Sequence, residues 1–192
     1  MEPYIEVIDN FFKNPNEIRS IALEEKYERF NNGFYGGRDT LNRMIVIDEM
    51  KEKIKNILNK EHEIITGRFR SVTEKEYGRS YIHEDSNVFN KPGLHILICL
   101  TPDNLIKKND AIVFYKHKEL GISANNLDNY TLEKALKETL VIDNFIEYKS
   151  IEYKYNRCII LDYGIFHSPR YMNGYGDSLE NSRLLYIIEA LQ

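Results

Sequence analysis

The chain reads as mainly β, a barrel-like sandwich backed by N-terminal helices. Two observations carry this reading. After two helix-like segments the hydrophobic period changes to two from about Glu63 onward, and strand-like runs separated by turns then fill most of the chain to its end. No internal repeat or linker divides these runs, so residues 1–192 are expected to form one domain. Residues 1–60 would be a helical buttress and 63–192 a strand-rich core with a helical insertion near 131–140.

Taken in order, Tyr4 to Ile8 alternates like a half-buried strand. Asn14-Pro15-Asn16-Glu17 is a helix start, with Asn14 as cap, Pro15 in the first turn and Glu17 three after the cap. Ile18, Ile21 and Ala22 give that helix an apolar stripe. Gly33, Gly36 and Gly37 mark the segment from Asn31 to Arg38 as a loop, and Asp48 is expected to cap a second helix whose Met50, Ile54, Ile57 and Leu58 share a face. Strands dominate from Glu63 to Phe114. Ser123 to Asn129 is turn-prone, and Thr131 is expected to cap a helix carrying Leu132, Ala135, Leu136 and Leu140. Ile151 to Tyr155, Arg157 to Tyr163 and Arg183 to Ala190 return to strands.

Composition narrows the function classes. With 26 basic and 30 acidic residues the formal charge is −4, which argues against a general nucleic-acid-binding surface. Cys99 and Cys158 each lie inside an apolar run and no C-x-x-C pair is present, which points to reduced core thiols rather than a disulfide or a zinc site. The start has no apolar signal region, and no run approaches the length of a membrane span. The expectation is a soluble cytoplasmic protein.

The chemistry concentrates in three places. Tyr81-Ile82-His83-Glu84-Asp85 contains an H-x-D pair, Ile165-Phe166-His167 supplies a distant second histidine, and Ser182-Arg183-Leu184 opens a final apolar run. In an extended segment residues two apart point the same way, so His83 and Asp85 can converge on one ion while Glu84 faces outward. Two imidazoles and one carboxylate on one face of an iron leave the opposite positions open. Arg183 alternates with Leu185 and Ile187, which turns it inward. An inward guanidinium needs an anion, so a carboxylate, or water or a buffer ion in its absence, is expected beside it.

In this order the residues resemble the Fe(II)/2-oxoglutarate-dependent dioxygenases, and most closely their prolyl-hydroxylase-like branch. The match runs from Tyr81 to the C-terminus: His83-x-Asp85, the strand ending Ile98-Cys99-Leu100-Thr101, the Phe-Tyr strand Val113 to His117, the strand led by Asn156-Arg157, Phe166-His167, the glycine loop Asn173 to Asp177, and Arg183-Leu184. Cys99 stands where the family often has Tyr, and Asn109-Asp110-Ala111 replaces Gly-Gly-Thr. The resemblance implies a double-stranded β-helix, or jelly roll. It implies Fe(II) held by His83, Asp85 and His167, which would be both metal ligands and catalytic residues, with 2-oxoglutarate as co-substrate clamped by Arg183, and O2. The activity implied is hydroxylation of a small-molecule or peptide substrate with release of succinate and CO2.

Further positions have two readings each. Tyr81 is on the side of His83, and either donates its hydroxyl to 2-oxoglutarate or packs in the core. His95 alternates with Leu97 and Cys99, and either points into the barrel beside the cofactor or sits at its edge. Asn87 and Ser168 are expected to orient the imidazoles, and Arg38 and His117 to line the substrate mouth, with the loops Asn31 to Arg38 and Ser123 to Asn129 closing over it. Two rival classes are a cupin-type metal barrel using His83 and His95, which lacks the expected H-x-H, and a non-catalytic interaction protein that retains the fold. The sequence is silent on oligomeric state.

Overall fold

In the computed structural model, residues 4–29, 36–59, 62–76, 82–85, 93–119, 121 and 142–191 are described. The elements are β1 (Ile5–Ile8), α1 (Pro15–Glu24), β2 (Tyr27–Arg29), β3 (Arg38–Thr40), α2 (Asp48–Leu58), β4 (Glu63–Val72), β5 (Gly93–Cys99), β6 (Ala111–His117), β7 (Phe145–Glu152), β8 (Cys158–Asp162), β9 (His167–Pro169) and β10 (Arg183–Leu191). A seven-stranded sheet runs β1-β8-β5-β10-β4-β3-β2, and a three-stranded sheet runs β7-β6-β9. Two antiparallel sheets with helices behind the larger one make a jelly roll, as expected. The first 60 residues are more than a helical buttress, because β1, β2 and β3 all join the large sheet.

Strand periodicity sorts the side chains into two cores. Leu184, Tyr186 and Ile188 of β10, with Leu94, Ile96 and Ile98 of β5 and Cys158 and Ile160 of β8, pack against Ile18 and Ala22 of α1 and Met50 and Ile54 of α2. The alternate residues Leu185, Ile187, Leu97, Cys99, Ile159 and Leu161 face the small sheet, where they meet Ile112, Phe114 and Ile151. Covered on both faces, β5 and β10 are buried along their whole length.

Helix details depart from the expectations in three places. Ile21 and Ile57 are exposed, because each lies at the edge of an apolar stripe that only Ile18 and Ala22, or Met50 and Ile54, bury. Asp48 is the first residue of α2 and Ile47 is the cap position, so its carboxylate acts on the helix N-terminus through charge rather than as a cap. Asn14 holds the cap position of α1, but its side chain makes no capping hydrogen bond.

Asn156-Arg157, singled out in the sequence, ties β8 to the N-terminal segment. Asn156 adopts a left-handed conformation (φ 61°) that asparagine tolerates. Its side chain accepts from Phe12 N (2.8 Å) and donates to Phe12 O (2.9 Å), while Arg157 pairs with Asp9 at 2.6 Å. Both thiols are free and buried, and burial pushes Cys99 up to about 12 and raises Cys158 as well, so neither is a thiolate. Among the described residues no helix is long and apolar enough to cross a membrane. The expected helix from Thr131 to Leu140 and the loop Ser123 to Asn129 lie outside the described residues, as do 31–35 of the glycine loop, Tyr81 and Asn87.

Candidate metal and co-substrate site

His83 and His167 form an isolated antiparallel bridge, His83 N donating to His167 O (3.0 Å) and His167 N to His83 O (2.8 Å). Asp85 N donates to Tyr163 O (2.7 Å). This short extended stretch presents His83 and Asp85 to the same side, as the H-x-D spacing predicts, and brings them to His167 on β9. Their ligand atoms lie within 4.8 Å of one another. Glu84 does not line the cavity they face, but it is buried rather than turned to solvent.

The donor chemistry suits a divalent cation. His167 Nδ1 lies 2.8 Å from Ile165 O, an arrangement that keeps the proton on Nδ1 and leaves a lone pair on Nε2, which is 3.6 Å from Asp85 Oδ2. Asp85 Oδ2 is buried and receives no hydrogen bond among the described residues, which is costly for a carboxylate unless a cation balances it. Three of six positions on such an ion would be protein ligands, which leaves the rest for co-substrate and oxygen.

These residues open into a cavity of about 420 Å³. Arg183, Leu185, Ile187 and Glu189 line it from β10, so the alternation that turned Arg183 inward holds. From Arg183 to Glu189 the strand rises roughly 20 Å, at about 3.3 Å per residue. His95 is opposite Glu189 and at the other end of the cavity from Arg183, with its Nδ1 3.3 Å from Asp85 Oδ2. Burial holds its imidazole down to about 3, against the opposing pull of Asp85, so His95 is neutral beside the candidate ligands.

The surroundings of Arg183 differ from the expectation of a solvent ion. Its Nη1 donates to Tyr171 O (2.7 Å) and to Asp110 Oδ2 (3.4 Å). Asp110 is fully buried at the start of β6 and also accepts from Ala111 N (2.9 Å) and from the hydroxyl of Tyr175. Arg183 Nε is buried and donates to nothing among the described residues. The protein therefore supplies its own counter-ion on the Nη1 side of the guanidinium.

Sequence reading missed the strand beside β10 on the same wall. Thr66, Arg68, Arg70 and Val72 of β4 line the cavity, with Asp39 of β3 behind them. Asp39, fully buried, accepts from Arg68 Nε (3.2 Å), Arg70 Nε (2.6 Å), Arg70 Nη2 (2.8 Å) and Arg43 Nη1 (3.0 Å). Arg68 reaches on to Glu189 at 2.9 Å and to Thr66 at 2.7 Å. The signal was present as period-two charge in a strand, Arg68 and Arg70 on one face, but alternation alone does not say which face is covered.

Two expected mouth residues lie elsewhere. Arg38 is drawn to Glu76 at 2.6 Å, and His117 is buried edge-on against Phe145, so neither lines the cavity, whereas Gly36 does. Ser168 sits beside His167 but its hydroxyl turns to Tyr115 at 3.3 Å, which does not orient an imidazole.

No family model and no curated protein matches the chain. Solved structures do. HygX from Streptomyces hygroscopicus, with nickel, 2-oxoglutarate and hygromycin B bound, is 15% identical over 97% of this chain and 82% of its own, with a TM-score of 0.57. SnoN, a non-haem α-ketoglutarate-dependent epimerase from nogalamycin biosynthesis, is 11% identical over 98% and 76%, with a TM-score of 0.63. The fold is that of the Fe(II)/2-oxoglutarate-dependent oxygenases. A prolyl hydroxylase from Trichoplax adhaerens, bound to a peptide of hypoxia-inducible factor, shares it at 9% identity over 97% and 82%, with a TM-score of 0.52. In this oxygenase fold the cavity between the sheets holds the His83, Asp85 and His167 group, a set that could bind the iron or nickel with which such neighbours crystallise.

Proposed function

We propose that residues 1–192 form one Fe(II)/2-oxoglutarate-dependent oxygenase domain that hydroxylates a small-molecule or peptide substrate and releases succinate and CO2. One observation supports this above the rest: a His-Asp-His group with donor atoms within 4.8 Å shares a cavity with an inward arginine whose Nε has no partner among the described residues. A metal barrel of the cupin type, or a non-catalytic protein, has no need of that arginine.

His83, Asp85 and His167 would hold ferrous iron, which with 2-oxoglutarate and O2 supplies the oxidising power for attack on a C–H bond. Arg183 holds the distal carboxylate of 2-oxoglutarate. Leu97, Ile112, Leu185 and Ile187 line the same cavity with apolar surface, which suits the methylene carbons of the co-substrate and keeps water from the reacting centre. His95, neutral and against Asp85, keeps the carboxylate's environment polar without adding charge. Tyr81, outside the described residues, is retained as a candidate contact to the co-substrate. A cytoplasmic setting, where iron stays ferrous, suits this chemistry.

The test is to load the protein anaerobically with Fe(II), supply 2-oxoglutarate and O2 with libraries of metabolites and peptides, and follow succinate and the mass of the product. Substrate-stimulated succinate with a product heavier by one oxygen is expected. A protein that binds no 2-oxoglutarate and forms no succinate overturns the reading.

A further inference from the structure

The anchor for 2-oxoglutarate carries its own opponent. We propose that Asp110 is a resident counter-ion that weakens the cavity's hold on the co-substrate carboxylate, and so sets the concentration at which 2-oxoglutarate binds; this rests on the oxygenase reading above.

Asp110 and Arg183 are both almost wholly buried, and the carboxylate meets the guanidinium on its Nη1 side at 3.4 Å. The pair is held from several directions. Asp110 N donates to Lys107 O (3.0 Å), Asn109 before it takes a left-handed turn (φ 64°), and Tyr153 N donates to Asp110 O (3.0 Å). Tyr175 reaches Asp110 from a loop that Gly174 N pins to Thr73 O (3.0 Å). Asp110 therefore cannot swing aside when a second carboxylate arrives at Nε.

Two effects of removing its charge oppose each other. Loss of an orienting partner would weaken the grip of Arg183, and loss of a fixed negative charge would strengthen it. Tyr171 O, at 2.7 Å, keeps Arg183 oriented without Asp110, and an asparagine amide oxygen can still accept from the guanidinium. The charge effect has no such substitute. A unit charge several ångströms from an anion in a site shielded from water alters its affinity by on the order of tenfold or more. Charge wins, so the neutral variant binds more tightly. In the parent, the same charge keeps a buried arginine paired while the cavity is empty.

The experiment measures 2-oxoglutarate binding by calorimetry on Ni(II)-loaded protein, with Ni(II) affinity and thermal stability recorded beside it. Asp110→Asn is expected to lower the 2-oxoglutarate Kd by about tenfold, leave Ni(II) affinity unchanged, and lower Tm in the absence of 2-oxoglutarate. Asp110→Ser, which also removes the charge, should shift Kd the same way and serves if the asparagine variant does not fold. Tyr175→Phe removes a hydrogen bond to Asp110 but no charge, and should stay within twofold of the parent. A Kd unchanged or raised in the neutral variants, or lowered as much by Tyr175→Phe, overturns the proposal while leaving the oxygenase reading intact. No 2-oxoglutarate binding by the parent overturns both.

Discussion

His83 and His167 are joined by two reciprocal backbone hydrogen bonds, and their rings lie with centroids 4.4 Å apart. Two candidate ligands remote in sequence are thus set by main chain rather than by side-chain packing. The same bridge connects the stretch carrying Asp85 to β9, so the donor set is built before any ion arrives.

That arrangement predicts one ferrous ion per chain. His167→Ala should lose most of the bound iron, because two remaining ligands do not hold a labile divalent ion against water. The backbone bridge needs no imidazole, so the variant should fold. Metal analysis after anaerobic loading and desalting reads the outcome, and iron retention equal to the parent's removes His167 from the site.

Arg183→Lys keeps the positive charge and loses the planar pair of donors. With Nη1 engaged by Tyr171 and Asp110, the parent offers Nε to a carboxylate, and an ammonium in its place cannot serve both sides. Affinity for 2-oxoglutarate should fall roughly tenfold, about the 1.4 kcal/mol expected of one charge-assisted hydrogen bond, with iron binding retained. Calorimetry with and without 2-oxoglutarate on the metal-loaded variant checks both halves.

Asp39 makes stability depend on pH. Burial pushes its carboxyl upward, but the hydrogen bonds and charge of Arg70, with Arg68 and Arg43, outweigh that and lower it below the usual carboxylate range. A group with a depressed folded pKa contributes stability above its unfolded pKa, near 4, and loses that contribution as pH falls through the folded value. Asp39→Asn should therefore cost about 3 kcal/mol in urea unfolding at neutral pH, because it takes the shared counter-charge from buried Arg68 and half-buried Arg70. The gap from the parent should narrow below about pH 4. A pH-independent difference would mean that packing, not charge, makes Asp39 matter.

Gly174 has no room for a side chain. A Cβ there would overlap the carbonyl oxygen of Val72, a backbone atom that cannot move aside cheaply. Gly174→Ala should cost roughly 1–3 kcal/mol or more, as overpacking does. It should also displace Tyr175 from Asp110, which removes a hydrogen bond but no charge, so the 2-oxoglutarate Kd should stay within about twofold of the parent while stability falls. Thermal unfolding and calorimetry on one sample test the pair of effects.

Local pattern was enough for the long strands β4, β5, β8 and β10 and for which residues of β10 share a face, but not for β2, β3 or most of β7. Period-two alternation turns Arg183, Leu185 and Ile187 inward, since pleating alone dictates it, and the H-x-D spacing puts His83 and Asp85 on one side for the same reason. The order of His83, Asp85, His167 and Arg183 along the chain was legible too. Arg38 and His117 were misplaced because loop and strand-end side chains follow their nearest partners, here Glu76 and Phe145, which no spacing announces. What only tertiary structure decided is the charge inside the cavity. Asp39 meets Arg68 and Arg70 because β3 pairs with β4, Glu189 meets Arg68 because β10 lies on the other side, and Asp110 meets Arg183 across the gap between the sheets. Each of these pairs joins residues far apart in sequence, and a buried charge finds its partner through strand order, which local periodicity does not encode.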